Sequence, residues 1–268
     1  MLKDITLGQY FPGKSPIHLM DPRAKLIMLV VYIVGLFVST GWLSYGLMFV
    51  FLAVIIKIST IPVKSILKGL KPLVVILCFT GILNLFFTEG ENLLPESWPV
   101  AITKEGIVRA VLMVARIMML VSGTFLLTYT TSPIALTDGL ESLMNPLKKI
   151  KVPVHELAMM MCIALRFIPT LIEETDKIMS AQRARGADFD SGSLIQRAKA
   201  LIPLLVPLFI SAFRRAEELA TAMECRCYHG GEGRTRLRKL QYHGIDRMTL
   251  LLFAAVTVLV GVLGHFGL

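Results

Sequence analysis

Charge is scarce in this sequence. Only 18% of the 268 residues are Asp, Glu, Lys or Arg, whereas 54% are hydrophobic, a balance that excludes an ordinary soluble domain. The charge is also unevenly distributed, because residues 132–247 hold 17 of the 28 lysines and arginines while long stretches elsewhere carry almost none. This profile predicts a membrane protein with a substantial part outside the membrane.

Other absences narrow the function. The four cysteines are scattered, which excludes a disulfide framework. Neither an HExxH nor a GxSxG motif occurs, and the apolar stretches hold no cluster of acids or histidines, so a membrane-embedded enzyme is disfavoured. We predict no catalytic residue, no metal site and no cofactor bound directly by this chain. Residues 1–25 have no continuous apolar core, and we expect no cleavable signal peptide.

Five apolar runs predict transmembrane helices. They cover residues 24–40, 43–58, 72–87, 106–130 and 248–266. We therefore expect an all-α polytopic membrane protein with about five transmembrane helices. Within the fourth run, Arg116 is expected to pack against another helix or subunit, because a charge inside a membrane normally faces protein or water.

The sign of the charge predicts the orientation. A formal net charge of +9 would suggest nucleic acid as a partner of a soluble protein, but in a membrane protein it is explained by lysines and arginines in cytoplasmic loops. The lysine-rich residues 57–71 and the basic residues 148–247 are then inside, and the acidic residues 88–105 outside. Five spans satisfy these placements if the N-terminus lies inside the cell membrane and the C-terminus outside.

Two long helical patterns, 154–185 and 193–228, precede the last apolar run. Their first halves are apolar but shorter than the ~20 residues that a span requires, and their second halves are amphipathic. We expect long helices that begin against the membrane and end in the cytoplasm, kinked or split by Pro169, Pro203 and Pro207. The predicted domains are a membrane region with four transmembrane helices, a cytoplasmic or membrane-surface module and a last transmembrane helix, at residues 1–131, 132–246 and 247–268.

The two patterns end on the same short motif. It contains an alanine, two variable positions, a small residue and an arginine, and its two arginines, Arg185 and Arg226, are forty-one residues apart. The same shift aligns Thr170 with Ser211 and other pairs further up the helices. A solvated arginine at a helix end is common, but two matched copies indicate a device that grips two similar partners.

The motif also has a physical rationale. The helix dipole favours a cation at the C-terminus, and a glycine such as Gly186 readily takes the left-handed conformation that ends a helix. A guanidinium at the exposed tip can make forked hydrogen bonds to a carboxylate or to carbonyl groups in a groove of the partner. The predicted docking residues are the two arginines with their immediate neighbours: Ala184, Arg185, Gly186, Cys225, Arg226 and Cys227.

The second copy differs from the first in its cysteines. Cys225 is small enough to stand for an alanine, but Cys227 lacks the freedom of glycine at positive φ, so we expect this helix to end differently. The two thiols and His229 lack the second half of a standard zinc spacing, which disfavours a metal site.

Several short motifs, in this order and spacing, resemble the transmembrane T component of energy-coupling factor (ECF) transporters, the CbiQ family. They lie at residues 18–26, 166–171, 181–186, 207–209, 214–220, 222–224 and 233–236. The resemblance implies a non-enzymatic subunit that couples two cytoplasmic ATP-binding-cassette ATPases to a small membrane S component, which captures a vitamin or a metal ion. ATP and Mg²⁺ would bind to the ATPases, and Arg185 and Arg226 would each dock into a groove of one ATPase. The apolar faces of the long coupling helices would hold the S component.

Alternatives remain open beside this resemblance. One is the T component of a dedicated cobalt or nickel transporter, and another is a conventional ABC permease that binds its own substrate. A polytopic scaffold unrelated to ATP is a third. The different neighbours of Arg185 and Arg226 suggest two unequal ATPases, that is, a heterodimer.

Overall fold

A computed structural model describes residues 10–88, 103–187, 189, 193–231 and 240–265. In these ranges the chain is helical and has no β-strand, so the predicted all-α class is confirmed. The α-helices are α1 (Pro16–Leu19), α2 (Pro22–Val38), α3 (Trp42–Ser59), α4 (Val63–Leu70), α5 (Val74–Phe87), α6 (Lys104–Thr130), α7 (Pro133–Met144), α8 (Val154–Ala184), α9 (Leu194–Cys225) and α10 (Gly244–His265). A 3₁₀ turn at Lys71–Leu73 joins α4 to α5, and another at Asn145–Ile150 follows α7. The motif at 233–236 lies outside the described residues.

The described residues form two compact units. Residues 10–88, 103–140 and 240–265 make the first unit, and residues 141–187, 189 and 193–231 make the second. The first contains α1 to α6 and α10, and the second contains α8 and α9. The domain boundaries expected at residues 131 and 246 stay predictions.

Five segments are long and apolar enough to cross a membrane. They are Trp42–Ser59, Val63–Phe87, Lys104–Thr130, Val154–Ala184 and Gly244–His265. Four of them correspond to predicted spans. The fifth predicted span, residues 24–40, forms α2, whose 17 residues reach ~26 Å, slightly less than the ~30 Å hydrocarbon core. The number of apolar helices agrees with the prediction, but α8 appears among them where the sequence predicted a cytoplasmic helix.

The relative direction of α2 and α10 helps to decide whether α8 crosses the membrane. Near the start of both helices, the backbone N–H of Asp21 donates to Oδ1 of Asp246 at 3.1 Å. Near the end of both, the Thr40 hydroxyl donates to the Gly264 carbonyl at 3.4 Å. The two helices are therefore parallel, and both begin at the same face of the membrane unit.

The end of α6 lies at that face too. The ammonium group of Lys25, in the first turn of α2, donates to the Thr130 carbonyl at 2.9 Å and to the Thr131 hydroxyl at 3.2 Å. α6 ends and α10 begins at the same face. The segment between them must therefore cross the membrane an even number of times, or not at all. A single crossing by α8 would place the start of α10 at the opposite face, and α9 is not among the five apolar segments. This parity favours α2, α3, α4–α5, α6 and α10 as the membrane helices.

Arg116 of α6 is held inside this bundle. Its guanidinium donates to the Ser39 carbonyl at 3.0 Å, in the turn between α2 and α3. It also lies 5.7 Å from the ring centroid of Phe37 and 5.5 Å from that of Tyr45. A carbonyl oxygen and two aromatic faces lower the cost of a cation at this depth. The prediction that Arg116 packs against other helices is confirmed.

In the second unit, α8 and α9 are long and unbroken. The start of α9 is fixed by a capping box, in which the Ser193 hydroxyl accepts from the Gln196 N–H and the Gln196 side chain accepts from the Ser193 N–H. Pro169 lies inside α8, and Pro203 and Pro207 lie inside α9. The prolines do not split either helix, so that alternative was wrong, and kinking stays a prediction.

Candidate functional site: two arginine-tipped helix ends

The end of α8 is a compact cap. The helix stops at Ala184, and Arg185 follows with φ −85° and ψ 6°. Gly186 has φ +87°, in the left-handed region that suits glycine. The N–H of Ala187 then donates back to the carbonyl of Gln182 at 3.0 Å. This pattern satisfies carbonyl groups of the last turn and directs the chain away from the helix axis.

The end of α9 has the same cap. Arg226 has φ −93° and ψ 15°, and Cys227 has φ +57°. The N–H of Cys227 donates to Glu224 at 2.8 Å and that of Tyr228 to Met223 at 3.0 Å. Each bond has its counterpart forty-one residues earlier, at the end of α8. The expectation that this helix ends differently was wrong, because Cys227 takes the left-handed conformation despite its side chain.

All six predicted docking residues are exposed at these two ends. Arg185 and Arg226 have no hydrogen-bond or ion-pair partner within the described part of the chain. Each guanidinium thus keeps its donors available at the tip of a helix, with small or compact residues on either side. Whether a partner docks there stays a prediction at this point.

The cysteines beside Arg226 are free and exposed, and no disulfide joins the cysteines of the described residues. Among the same residues, no group of three His, Cys, Asp or Glu side chains could hold a metal ion. His155 instead pairs with Glu141, Nδ1 to Oε1 at 3.0 Å, and so links the end of α7 to the start of α8.

A polar contact joins α8 to α9 that sequence reasoning missed. The guanidinium of Arg215 donates to Oε2 of Glu174 at 2.6 Å, and the Ser211 hydroxyl donates to Oε1 at 2.5 Å. Glu174 and Arg215 are forty-one residues apart, the same shift that relates the two arginine motifs. Opposite charges at equivalent positions of a repeat were a signal that could have predicted this pair.

Residues 201–213 of α9 form a large apolar surface. Its exposed side chains are Leu201, Ile202, Leu205, Val206, Phe209, Ile210 and Phe213. Phe213 is the most exposed of them, at 70%, and its ring stacks on that of Phe209. Such a patch is typical of a surface that contacts protein or membrane.

The strain at Cys227 leads to a testable prediction. A side chain in the left-handed region costs ~1–2 kcal/mol, which glycine avoids. We expect Cys227→Gly to slow amide hydrogen exchange over the last turn of α9, and Gly186→Ala to accelerate it over the last turn of α8. Mass spectrometry of exchanged peptides measures both, with Cys225→Ala as the matched control. Unchanged exchange in both variants would show that the caps are not strained as described.

These features define a class: an all-α polytopic membrane protein that presents two matched, arginine-tipped helix ends. A family model described as CbiQ, cobalt transport protein, matches residues 13–237. The chain belongs to this family, and the resemblance inferred from the short motifs is confirmed.

Similar proteins cover nearly the whole chain. It is 56% identical over 247 residues, 92% of each chain, to the energy-coupling factor transporter transmembrane protein EcfT of Ruminiclostridium cellulolyticum. The protein of that name from Clostridium kluyveri is 53% identical over 266 residues, 99% of this chain and 98% of the relative. That of Bacillus subtilis is 47% identical over 259 residues, 96% and 98% of the two chains.

Proposed function

We propose that this chain is the transmembrane coupling component of an ECF-type importer. In that role it transmits ATP-driven motion from two cytoplasmic ATPases to an S component that binds a vitamin or another micronutrient. The observation that carries the proposal is the pair of identically capped, exposed arginine tips, supported by the name that the relatives share. The chain itself would be non-catalytic, with ATP and Mg²⁺ bound and ATP hydrolysed by its partners.

The tips suit a docking role for physical reasons. A left-handed cap turns the chain away directly after each arginine, so a groove can close around the helix end. The guanidinium presents planar, forked donors that match carboxylate or carbonyl oxygens better than a lysine would. Arg185 would enter one ATPase and Arg226 the other, and the different residues after them, Gly186 and Cys227, would face two unequal ATPases.

Charge distribution supports the proposed orientation in the cell membrane. α4 carries Lys64 and Lys68 and lies at the face where α6 ends, since the Tyr129 hydroxyl donates to the Ser65 carbonyl at 3.4 Å. The positive-inside rule assigns that face to the cytoplasm. The N-terminus would then lie inside, residues 131–243 would begin and end inside, and α10 would carry the C-terminus outside.

The apolar surface of α9 gives the S component a place to bind. Phe209, Ile210 and Phe213 are each more than half exposed, and exposed side chains of this size are typical of a surface that contacts a partner protein. As the ATPases close and open, α8 and α9 would move as packed units and carry the displacement to this surface.

A second candidate has a specific observation in its favour. The family description names cobalt transport, so the chain could serve a transporter dedicated to cobalt or nickel. In both cases the S component selects the substrate, and the arginine tips have the same role. Uptake assays separate the two candidates when radiolabelled vitamins and ⁶³Ni²⁺ or ⁵⁷Co²⁺ are offered to the same vesicles.

The decisive experiment purifies the tagged, full-length chain from its native membrane in mild detergent. We expect two ATPase subunits and one small membrane protein to co-purify with each copy of the chain, as measured by native mass spectrometry. A chain that binds substrate alone and has no small membrane partner would instead be a conventional permease. A chain without ATPases would contradict the proposal.

A further inference from the structure

The contact between α8 and α9 joins two residues that occupy equivalent positions of the internal repeat. The two helices, here called the arms, are related by a shift of forty-one residues that also relates their end caps bond by bond. Glu174 and Arg215 occupy the same position in the two arms, and they contact each other directly at 2.6 Å. The pair therefore joins equivalent points of the two arms.

A two-fold relation between the arms accounts for this contact. Such a relation exchanges every residue with its equivalent, so a contact between equivalent residues maps onto itself and lies at the axis. The bond from Ser211 to Glu174 maps onto a contact between Thr170 and Arg215. Thr170, Glu174 and Arg215 line one cavity, which agrees with this mapping.

The residue types at this point are also informative. In a perfect repeat, identical side chains would face each other across the axis, and two glutamates or two arginines would repel. The chain places one of each there, and both carboxylate oxygens of Glu174 are used, Oε2 by Arg215 and Oε1 by Ser211. A slip of either arm by one helical turn would break the two bonds, so the pair selects one register.

The pair is also equidistant from the two tips. Arg185 lies eleven residues after Glu174, and Arg226 lies eleven residues after Arg215. At ~1.5 Å per residue each tip lies ~16 Å along its helix from the pair. A given rotation of the arms about this point therefore displaces both tips equally.

We propose that the Glu174–Arg215 pair, with Ser211, is the fulcrum on which the two arms turn as levers of equal length. The pair is a positioning element: it lies eleven residues before each tip and holds the arms in register while their ends move. This inference rests on the proposed function, and it adds the residues that convert motion at the tips into motion at the membrane.

The test uses the complete transporter in vesicles. Glu174→Gln and Arg215→Gln are compared with the exchange variant Glu174→Arg/Arg215→Glu. Glu156→Gln and Lys199→Gln are matched controls, because these residues carry charges of the same signs on the same two arms but are exposed and lie away from the pair. Three quantities are measured: ATPase subunits retained, ATP hydrolysis rate, and substrate taken up per ATP hydrolysed.

We expect both single variants to retain the ATPases and hydrolyse ATP, while uptake per ATP falls about tenfold, a typical coupling effect. The exchange variant should recover most of the loss, and the controls should resemble the wild type. If the singles lose assembly, recovery in the exchange variant still supports the fulcrum. An exchange variant no better than the singles, or singles that transport normally, overturns it.

Failure of this proposal is distinguishable from failure of the proposed function. A wild-type chain that retains no ATPases contradicts the function itself. A wild-type complex that assembles and transports, with variants that are indistinguishable from it, contradicts only the fulcrum.

Discussion

Replacing Arg185 and Arg226 together with alanine is expected to abolish retention of the ATPases and to stop substrate uptake. Both guanidiniums are exposed and lack intramolecular partners within the described residues, so their removal leaves the arms themselves intact. An arginine that anchors an interface typically contributes ~2–4 kcal/mol to binding, and two such losses exceed what most assemblies tolerate. The measurement is the number of ATPase subunits per chain after purification in detergent.

The single variants refine this prediction. Arg185→Ala and Arg226→Ala are each expected to weaken retention partially, because the other tip still docks. Arg185→Lys keeps the charge but loses the forked donor geometry, and we expect it to resemble Arg185→Ala more than the wild type. Arg214→Ala, an exposed arginine on α9 away from the tip, is the matched control. Full assembly and uptake in the double variant would disprove docking through these arginines.

Asp246→Ala is expected to destabilise the membrane unit by ~3–5 kcal/mol. The side chain of Asp246 is 99% buried, and its two oxygens accept from backbone N–H groups of different segments. Oδ1 accepts from Asp21 at 3.1 Å and Oδ2 from His243 at 2.7 Å. Alanine would leave the buried N–H of Asp21 without its acceptor, would remove the part-buried bond from the N–H of His243, and would delete the link between the starts of α2 and α10.

The effect of this substitution is measured as the midpoint temperature of unfolding of the detergent-solubilised protein. Asp246→Asn keeps one acceptor oxygen, and we expect it to lose about half as much stability. Glu105→Ala, an exposed acid in the first turn of α6, is the control and should change the midpoint little. An unchanged midpoint for Asp246→Ala would mean that the two helix starts are held together by packing alone.

The sequence predicted the helices well because their signals are local. Apolar runs predicted α3, α6 and α10 to within a few residues, and the amphipathic patterns gave α8 and α9 almost whole. The positions of Arg185 and Arg226 at helix ends also followed from short-range rules, since capping depends on the residues of one turn. Arg116 was expected to face protein because its charge cannot face lipid.

Long-range features were not predictable in the same way. The local sequence pattern of α2 does not predict that it runs parallel to α10. The contact between Asp21 and Asp246 joins residues that are 225 positions apart. α8 is long and apolar enough to cross a membrane. Its length and composition therefore do not decide whether it does so, and the decision depends on the faces at which α6 ends and α10 begins. The conformation of Cys227 was missed because the hydrogen bonds of the cap outweigh the preference of its own side chain.

The pairing of α2 with α10 also sets the order in which this protein can be built. α2 leaves the ribosome before α3 to α9, yet α10, which packs along it, is synthesised after all of these helices. At ~5–20 residues per second, roughly 10–45 s pass between the synthesis of the two partners. During that interval the face of α2 around Gly35, which packs against Met48 of α3 and Thr257 of α10, lacks its α10 neighbour. Translation must therefore complete both arms before the membrane bundle can close.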